Sequence, residues 1–294
     1  MKNSAVLKWI IPVIFLMSLV AAGVGLFWET DGQPYPFTSI HGEAVTINGH
    51  GLYYYDTVST AAQMQANDTV TLVLGLPLLA ISTWLAFRGS LRGQLLLAGT
   101  LGFFLYTYMS MSFNTAYNPF FLLYTALFSL SLFSFIITMM SFDRKTLPQH
   151  FSEKLPRRAI AGLMFTAAFF LLFAWVGGRI LPTLLQDQTP SMENTTTMVI
   201  QVMDLGLIVP LAFLSGLLLL RRESWGYLLA SVTVMKMLTM GAAVSAMGIN
   251  MVLNGVEVSV IELGVFPALT LANMVMAYFL LKNIDSRPMT ALPA

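Results

Sequence analysis

Residues 225–253, WGYLLASVTVMKMLTMGAAVSAMGINMVL, are the stretch from which the architecture of this chain follows. The one charged side chain in this run is that of Lys236, close to its middle. About 20 apolar residues are enough for a helix to cross the hydrocarbon core of a bilayer. An ammonium at that depth is costly, and ionisable residues inside spans usually mark function. The segment therefore predicts a transmembrane helix that carries a charge at mid-depth.

The composition of the whole chain is typical of a membrane protein. Of its 294 residues, 56% are hydrophobic and 10% are charged, whereas about a quarter of the residues in soluble domains are charged. The sequence contains no cysteine, which excludes disulfides, thiolate metal ligands and Cys-x-x-Cys redox chemistry. We therefore expect a single polytopic membrane domain over residues 1–294.

Apolar segments long enough to span a bilayer occur eight times. They cover residues 8–28, 69–88, 93–113, 118–141, 158–182, 198–220, 225–249 and 258–282. The first segment resembles a signal peptide, but its apolar run continues to Trp28, which favours a retained signal-anchor helix. Four spans are interrupted by a proline in their interior, which membrane helices tolerate as a kink: Pro12, Pro77, Pro210 and Pro267. The pattern predicts an all-α integral membrane protein with eight transmembrane helices.

The basic residues predict the orientation of these helices. With the N-terminus inside, 13 of the 15 basic residues lie in cytoplasmic segments: Lys2, Lys8, Arg88, Arg92, Arg144, Lys145, Lys154, Arg157, Arg158, Arg221, Arg222, Lys282 and Arg287. The outer segments hold none of the 15 and carry eight acidic residues: Glu29, Asp31, Glu43, Asp56, Asp68, Asp187, Glu193 and Glu257. We therefore expect both termini in the cytoplasm, with the protein in a bacterial inner membrane or an equivalent plasma membrane.

The cytoplasmic loop 143–158 is rich in basic residues. Its first role is to fix this topology, and contacts with anionic lipids are an addition to it. The loop is not expected to bind nucleic acid.

The two halves of the chain share a pattern of landmarks. Pro77 precedes Arg88 by eleven residues, and Pro210 precedes Arg221 by the same interval. At a matching offset, a glycine opens the following span in each half: Gly93 and Gly226. A 4+4 parallel repeat, with an axis along the membrane normal, explains the pattern. Chance similarity between two Leu-rich helices is the alternative.

The outer segment 29–67 contains short β-prone runs at 37–40, 44–47 and 52–55. Asn48-Gly49 lies between two of these runs, and Asn-Gly is a strong hairpin signal. Residues 58–65 are expected to form a short helix that leads into the second span. We therefore expect a small extracytoplasmic β-hairpin between helices 1 and 2, lying over the outer face of the protein.

Several kinds of site are excluded by residue type or spacing. The outer-loop residues His41, Glu43, His50 and Asp56 are of types that can bind a metal ion, but their spacing matches no strong motif, so a hairpin with solvated histidines is favoured. The spans contain no histidine for b-type haem, and the sequence contains neither a P-loop nor a Gly-x-Ser-x-Gly elbow. Lys236 is similar in position to the retinal lysine of microbial rhodopsins, but Val232 stands where those proteins usually have an aspartate. We expect no metal and no cofactor.

Asp204 is the first candidate partner of Lys236. It lies inside the outer end of the sixth span, on the same face as Gln201. At a rise of 1.5 Å per residue, the Cα depths of Asp204 and Lys236 differ by about 5 Å, so an ion pair between the two helices is geometrically open. Such a pair either fixes the register of the helices or provides an anchor for a substrate carboxylate or a titrating site.

Other polar residues are predicted in the outer half of the bundle. Glu262 and Asn273 share one face of the eighth span, and Arg179 lies in the fifth. For Glu262 and Arg179, snorkelling to the membrane interface is the favoured interpretation. Tyr106 and Tyr108, near the outer end of the third span, either line a polar vestibule or belong to an interfacial aromatic belt.

Three functions remain open from the sequence. The first is a small-solute transporter or permease-like protein with an outer-half polar cavity. The second is a membrane-embedded enzyme acting on a lipid-linked substrate, and the third is a non-catalytic sensor, assembly factor or accessory subunit. The transporter would use Asp204, Lys236 and Glu262; the enzyme would use Asp56, Asp68, Glu262 and Arg179. The bilayer and a small solute are the expected partners, and the sequence leaves the oligomeric state undetermined.

Overall fold

The computed structural model describes residues 4–285, so Lys2 and Arg287 lie outside the described part. Helices account for 73% of the structure. Within the described range, eight helices are long and apolar enough to cross a membrane: α1 Ser4–Phe27, α2 Val58–Phe87, α3 Leu91–Asn114, α4 Phe121–Met140, α5 Arg157–Leu185, α6 Val199–Leu220, α7 Ser224–Leu253 and α8 Val260–Lys282. The all-helical class and the number of apolar helices agree with the prediction from sequence.

Some helix boundaries differ from the predicted spans. α2 begins at Val58, because the Thr57 hydroxyl accepts a hydrogen bond of 3.1 Å from the backbone N–H of Thr60 and caps the helix. The expected short helix 58–65 and the second span are therefore parts of one continuous helix. α7 similarly continues to Leu253, four residues beyond the predicted end of its span.

α3 and α7 form the centre of the bundle. In their most apolar stretches 78% and 61% of the residues are buried, against 17–39% in the other six helices. The two helices approach closely at Gly99, where an added Cβ would lie 2.3 Å from Met235 Cβ and 2.7 Å from Lys236 N. Only a glycine allows backbones this close, so Gly99 sets the crossing of the two central helices.

The remaining helices surround this central pair in two groups. α1, α2, α3 and α4 contact one another in a ring, and α5, α6, α7 and α8 do the same. The two groups meet where α3 packs on α7 and where the first half of α2 packs on α7. The chain therefore folds as two four-helix groups in sequence order.

Three helices contain π-helical segments, which have a wider turn than an α-helix. They are Thr71–Gly75 in α2, Phe173–Ile180 in α5 and Asp204–Ile208 in α6. The segments in α2 and α6 lie directly before Pro77 and Pro210, which have no N–H to continue the α-helical ladder. Sequence analysis predicted a kink at four prolines; a π segment precedes Pro77 and Pro210, whereas Pro12 and Pro267 lie within continuous α-helix.

The loop after α1 contains a two-stranded antiparallel sheet. β1 Tyr35–Thr38 pairs with β2 Ala44–Ile47, and Tyr35 lies opposite Ile47. The connecting turn is residues 39–43, with Gly42 at a φ of 80°. The run 52–55 forms turns instead of a third strand, so Asn48-Gly49 does not connect two strands.

The opposite end of the bundle is formed by the loop between α4 and α5 together with the end of α8. The Ser152 N–H donates to the Asn283 carbonyl over 2.8 Å, and the Asp285 N–H donates to the His150 carbonyl over 2.7 Å. The Arg92 guanidinium also donates to the Ile284 carbonyl over 2.6 Å. We call this the basic end, and the end that carries β1 and β2 the capped end.

Candidate functional site

Lys236 is buried at the crossing of the central helices, with a side chain only 7% exposed. Its methylene stem lies beside Gly102, where an added Cβ would be 3.7 Å from Lys236 Cγ. The ammonium nitrogen lies over the ring of Tyr106, 4.3 Å from the ring centroid, which is a cation–π contact. Among residues 4–285, no side-chain or backbone oxygen accepts a hydrogen bond from this ammonium.

Asp204, at the start of the π segment of α6, is 8% exposed and accepts two hydrogen bonds. Its Oδ1 accepts from the Tyr106 hydroxyl over 2.7 Å, and its Oδ2 accepts from Trp175 Nε1 over 2.9 Å. Both donors are neutral groups. Trp175 comes from the π segment of α5, so the two wide turns in α5 and α6 meet at this carboxylate. π turns are frequent at functional sites.

Tyr106 connects the two charged residues that the sequence singled out. Its hydroxyl binds Asp204 and its ring carries Lys236, so the pair interacts through the phenol and not as a direct ion pair. The estimate of depth from sequence left a contact between the two residues geometrically open. It could not show that a third helix inserts a side chain between them. Lys236, Tyr106, Trp175 and Asp204 are called the buried cluster below.

Two further residues predicted for this site lie close by. Gln201 is buried about one turn before Asp204 on α6. Asn273 is also buried, and its Nδ2 donates to the Val234 carbonyl over 3.0 Å, which ties α8 to α7 just before Lys236. Asn273 therefore already has a structural role in the position that it occupies.

Glu262 and Arg179 do not join the buried cluster. Glu262 is exposed in the first turn of α8, where it forms a capping box with Ser259. The Arg179 guanidinium donates to the Ser191 carbonyl over 2.9 Å. Both side chains are used locally near helix ends, because α8 begins only at Val260 and Arg179 lies six residues before the end of α5.

Asp68 belongs to a second buried polar group, among the first four helices. Its Oδ2 accepts from the Tyr53 hydroxyl over 2.6 Å, and the Tyr124 hydroxyl lies 3.5 Å from that of Tyr53. An added Cβ at Gly25 would be 2.0 Å from Asp68 Oδ2, so only a glycine leaves room for this carboxyl group. Burial, reinforced by Asp68, raises the pKa of Tyr53 well above its usual value, which keeps the phenol protonated as a donor.

Asp56 is buried beneath the capped end, with 2% of its surface exposed. Its Oδ1 accepts from the Ala116 N–H over 2.8 Å, whereas Oδ2 is buried with no hydrogen-bond partner in the described chain. Burial raises the pKa of Asp56 to about 7, the Ala116 hydrogen bond opposes this rise, and nearby Glu193 adds to it.

The loops after α1 and α5 are joined at the capped end. Glu43 accepts from the Ser191 hydroxyl over 2.7 Å and from the Met192 N–H over 2.9 Å. Partial burial alone would raise the pKa of Glu43, but these hydrogen bonds outweigh it and the pKa is lowered. Further hydrogen bonds between the loops join His41 to Thr195, Thr57 to Glu193 and Asn194 to Tyr55. We call this contact the loop clasp.

Sequence reasoning missed Trp175 and gave Tyr106 no partner. Both have a polar atom on a large apolar side chain inside a predicted span, and such atoms usually find an acceptor when they are buried. That signal could have paired them with Asp204, an acidic residue of a neighbouring span. The loop clasp left no signal, since its partners are more than 130 positions apart and solvent-exposed loops carry no periodicity.

Neither metal-ligand geometry nor similarity to known proteins assigns a function to this chain. Within residues 4–285, no group of three or more His, Cys, Asp and Glu side chains is placed to hold a metal ion. No protein-family profile matches the sequence, and no curated protein or solved structure is significantly similar to it. Eight apolar helices are the arrangement of a multi-pass membrane protein, and the buried cluster brings two ionisable side chains, Lys236 and Asp204, together in its interior.

Proposed function

We propose that this protein is a small-solute permease of a bacterial inner membrane or an equivalent plasma membrane. Its buried cluster binds the carboxylate group of the solute, with Lys236 as the anchor. The basic end faces the cytoplasm together with both termini, and the capped end faces outward. The proposal rests on one observation, the ammonium of Lys236 that is buried without an acceptor.

The chemistry of the ammonium supports this reading. A buried charge is costly unless it is paired and hydrogen-bonded, and within the described residues the Lys236 ammonium has a cation–π contact with Tyr106 but no hydrogen-bond acceptor. A solute carboxylate supplies both the opposite charge and the missing acceptors. In its absence the lysine is kept at the crossing of α3 and α7 by tight packing against Gly99 and Gly102.

Asp204 extends the ligand class to zwitterions. An ionised carboxylate offers about four acceptor positions, and the donors Tyr106 and Trp175 occupy one on each oxygen. A solute amino group can be accepted at the remaining positions while its carboxylate binds Lys236. We therefore propose small carboxylates, amino acids included, as the solute class.

The distribution of charge supports the proposed orientation. At the basic end, arginine guanidinium groups stack on tryptophan rings, with Arg88 3.9 Å from the ring centroid of Trp84 and Arg144 4.6 Å from that of Trp225. Basic residues flank the cytoplasmic ends of spans, and tryptophans lie at membrane interfaces. The capped end carries the acidic residues of the loop clasp instead.

A two-fold repeat of four helices is part of the proposal. The interval of 133 positions between Pro77 and Pro210 also relates the π segments Thr71–Gly75 and Asp204–Ile208. The same interval relates two close backbone contacts: an added Cβ would be 2.4 Å from Leu85 Cβ at Gly93, and 2.2 Å from the Leu218 carbonyl carbon at Gly226. Transporters built from such repeats bind substrate where the halves meet.

Access to the buried cluster requires a movement, since Lys236 is enclosed. α5 and α6 carry Trp175 and Asp204, and the loop that joins these two helices is held by the loop clasp. Release of the clasp would free the capped ends of α5 and α6 together. The π segments in both helices provide the places at which they could bend.

The proposal is tested by ligand-dependent thermal stability of the purified full-length protein, with acetate, succinate, glycine and glutamate against their amides. A ligand at 100 times its Kd stabilises the folded state by about 2.7 kcal/mol. We expect stabilisation by carboxylates and not by amides, its loss in Lys236→Met, and its retention in Lys282→Met, which removes a lysine near Tyr278 at the basic end. In proteoliposomes we expect uptake of the carboxylates and not of the amides, with uptake lost in Lys236→Met and retained in Lys282→Met.

Two results would overturn the proposal. One is a carboxylate response that is unchanged in Lys236→Met. The other is the absence of any carboxylate response in the unmodified protein. Should Lys236→Met fail to fold, Tyr106→Phe provides a second variant, because it removes a donor to Asp204 and keeps the ring beneath the lysine.

The enzyme alternative has less support from the geometry. Asp56, Asp68, Glu262 and Arg179 each have a local partner, in Ala116, Tyr53, Ser259 and Ser191 respectively. The accessory-subunit alternative is favoured by one observation, the exposed Phe37, Ile40 and Tyr55 at the capped end. Specific capture of a partner that depends on Ile40, in a protein that binds no carboxylate, would favour that alternative.

A further inference from the structure

A cleft at the basic end combines three cationic side chains with an aromatic wall. It has a volume of about 500 Å³ and lies between the loop after α4 and the turn that joins α6 to α7. Its lining residues are Arg144, Lys145, Arg222, Glu223, Ser224 and Trp225. A second cleft of about 240 Å³ shares Arg144 and Lys145, includes the acidic Asp143 and continues toward Met140. The larger cleft is lined by three basic residues and one acidic residue, so its net charge favours an anion.

Two of the cations are arranged to receive a ligand. The Arg144 guanidinium is positioned over the Trp225 ring, 4.6 Å from its centroid, so its planar fork is already oriented. Arg222 has a φ of 58°, in the left-handed region, at the tight turn between α6 and α7. Its guanidinium is 3.6 Å from the Glu153 carboxylate, with side chains 62% and 80% exposed, and such a surface pair is weak.

The depth of the cleft identifies the source of the anion. α4 ends at Met140, α6 ends at Leu220 and α7 begins at Ser224, so the cleft lies where the spanning helices enter and leave the apolar layer. Trp225, exposed beside it, is a residue type that settles at the level of lipid headgroups. An anion at this level is presented by the membrane itself, and arginine forks match phosphate oxygens.

We propose that this cleft binds the phosphate of an anionic phospholipid headgroup, through Arg144, Lys145 and Arg222. The site requires only that the protein is embedded in a membrane, and it is independent of the carboxylate-binding function of Lys236. A lipid held there links the loop after α4 to the first turn of α7. It thereby fastens the end of the helix that carries Lys236.

The test compares phosphatidylglycerol with phosphatidylcholine, added to the purified full-length protein in detergent. Native mass spectrometry counts the bound lipids, and thermal unfolding measures their effect. We expect phosphatidylglycerol to bind and stabilise the protein. The double variant Arg144→Gln, Lys145→Gln should bind it roughly 25-fold more weakly, since each basic residue contributes about fivefold. Arg88→Gln is the matched control, because Arg88 stacks on Trp84 at the same end but does not line the cleft.

Free glycerol phosphate distinguishes a lipid from a soluble ligand. Stabilisation by glycerol phosphate that is lost in the double variant would support a phosphate site whose ligand is soluble. Equal binding of both lipids would overturn the proposal, as would a loss in Arg88→Gln that matches the loss in the double variant. Both substitutions in the double variant fall on exposed side chains, so the fold itself should be unaffected.

Discussion

The hydroxyl of Tyr106 donates a hydrogen bond of 2.7 Å to Oδ1 of Asp204, and this bond joins α3 in the first half of the chain to α6 in the second. A hydrogen bond to an ionised acceptor is worth about 1.5–3 kcal/mol, more than one between neutral groups. The contact therefore links the two four-helix groups at the depth of the buried cluster.

Tyr106→Phe removes this bond and keeps the ring beneath Lys236. We expect the free energy of unfolding to fall by about 1.5–3 kcal/mol, because Asp204 is left with Trp175 as its one remaining donor. Thermal or denaturant unfolding in detergent measures the change. Tyr278→Phe is the control, since that side chain is exposed on α8; an equal loss in both variants would contradict the assigned role of the Tyr106 hydroxyl.

Gly99→Ala should be among the most destabilising single-methyl changes in the helices. Its Cβ would overlap Met235 Cβ at 2.3 Å, and Lys236 N, which is backbone, cannot move away easily. Overpacking of this kind costs about 1–3 kcal/mol. Gly162→Ala is the control, because nothing lies within 4 Å of its added Cβ and alanine favours the helix. Similar unfolding temperatures for the two variants would show that the crossing of α3 and α7 is not tightly packed.

Asp56 should make the capped end less stable as the pH rises. Its pKa is about 7 in the folded protein against 3.8 for the exposed group, so between these values the folded state holds a proton that the open state has lost. The contribution of this group to stability is therefore greatest below pH 4 and declines up to pH 7, by roughly 4 kcal/mol in total.

Hydrogen exchange of the amides in residues 44–57 at pH 5 and pH 8, corrected for the intrinsic rate, measures this decline. Asp56→Asn should abolish the difference in opening free energy between the two pH values. Glu43→Gln should preserve it, because the pKa of Glu43 is lowered from 4.5 and its titration lies below this range. A slope that persists in Asp56→Asn would assign the titration to another group.

Glu43→Ala should release the loop between α5 and α6. The change removes the acceptor of the Ser191 hydroxyl and of the Met192 N–H. The loss of hydrogen bonds to a charged group costs about 1.5–3 kcal/mol. We therefore expect the protection of residues 188–198 against hydrogen exchange or protease to fall by tenfold or more. Glu29→Gln, an exposed acidic residue of the same outer loop, should leave protection unchanged. Equal protection in Glu43→Ala would mean that the other contacts hold the clasp alone.

The helices were predictable from sequence because a membrane span needs a long apolar run, and such a run consists of consecutive residues. The pairing of Lys236 with Asp204 was predictable only in part. Counting residues along two helices gives depth, but not the direction in which each side chain points. Tyr106 was therefore predicted only as a residue of a polar vestibule or an aromatic belt, and its contacts with Lys236 and Asp204 were not foreseen.

The remaining differences have a common physical origin. The start of α2 at Val58 depends on a cap by Thr57 and on burial of polar side chains such as Asn67, neither of which needs apolar sequence. The loop clasp depends on hydrogen bonds between loops that only the completed fold brings together. A single sequence carries no direct signal for such contacts.

The approach of α3 to α7 at Gly99 has a mechanical consequence. The backbones lie against each other there, so a rotation of the two four-helix groups against one another would find no side chain at this point that could rearrange. Displacement in such a rotation grows with distance from the pivot. Lys236 adjoins the pivot and would remain nearly still, while the capped and basic ends of the bundle would move farthest.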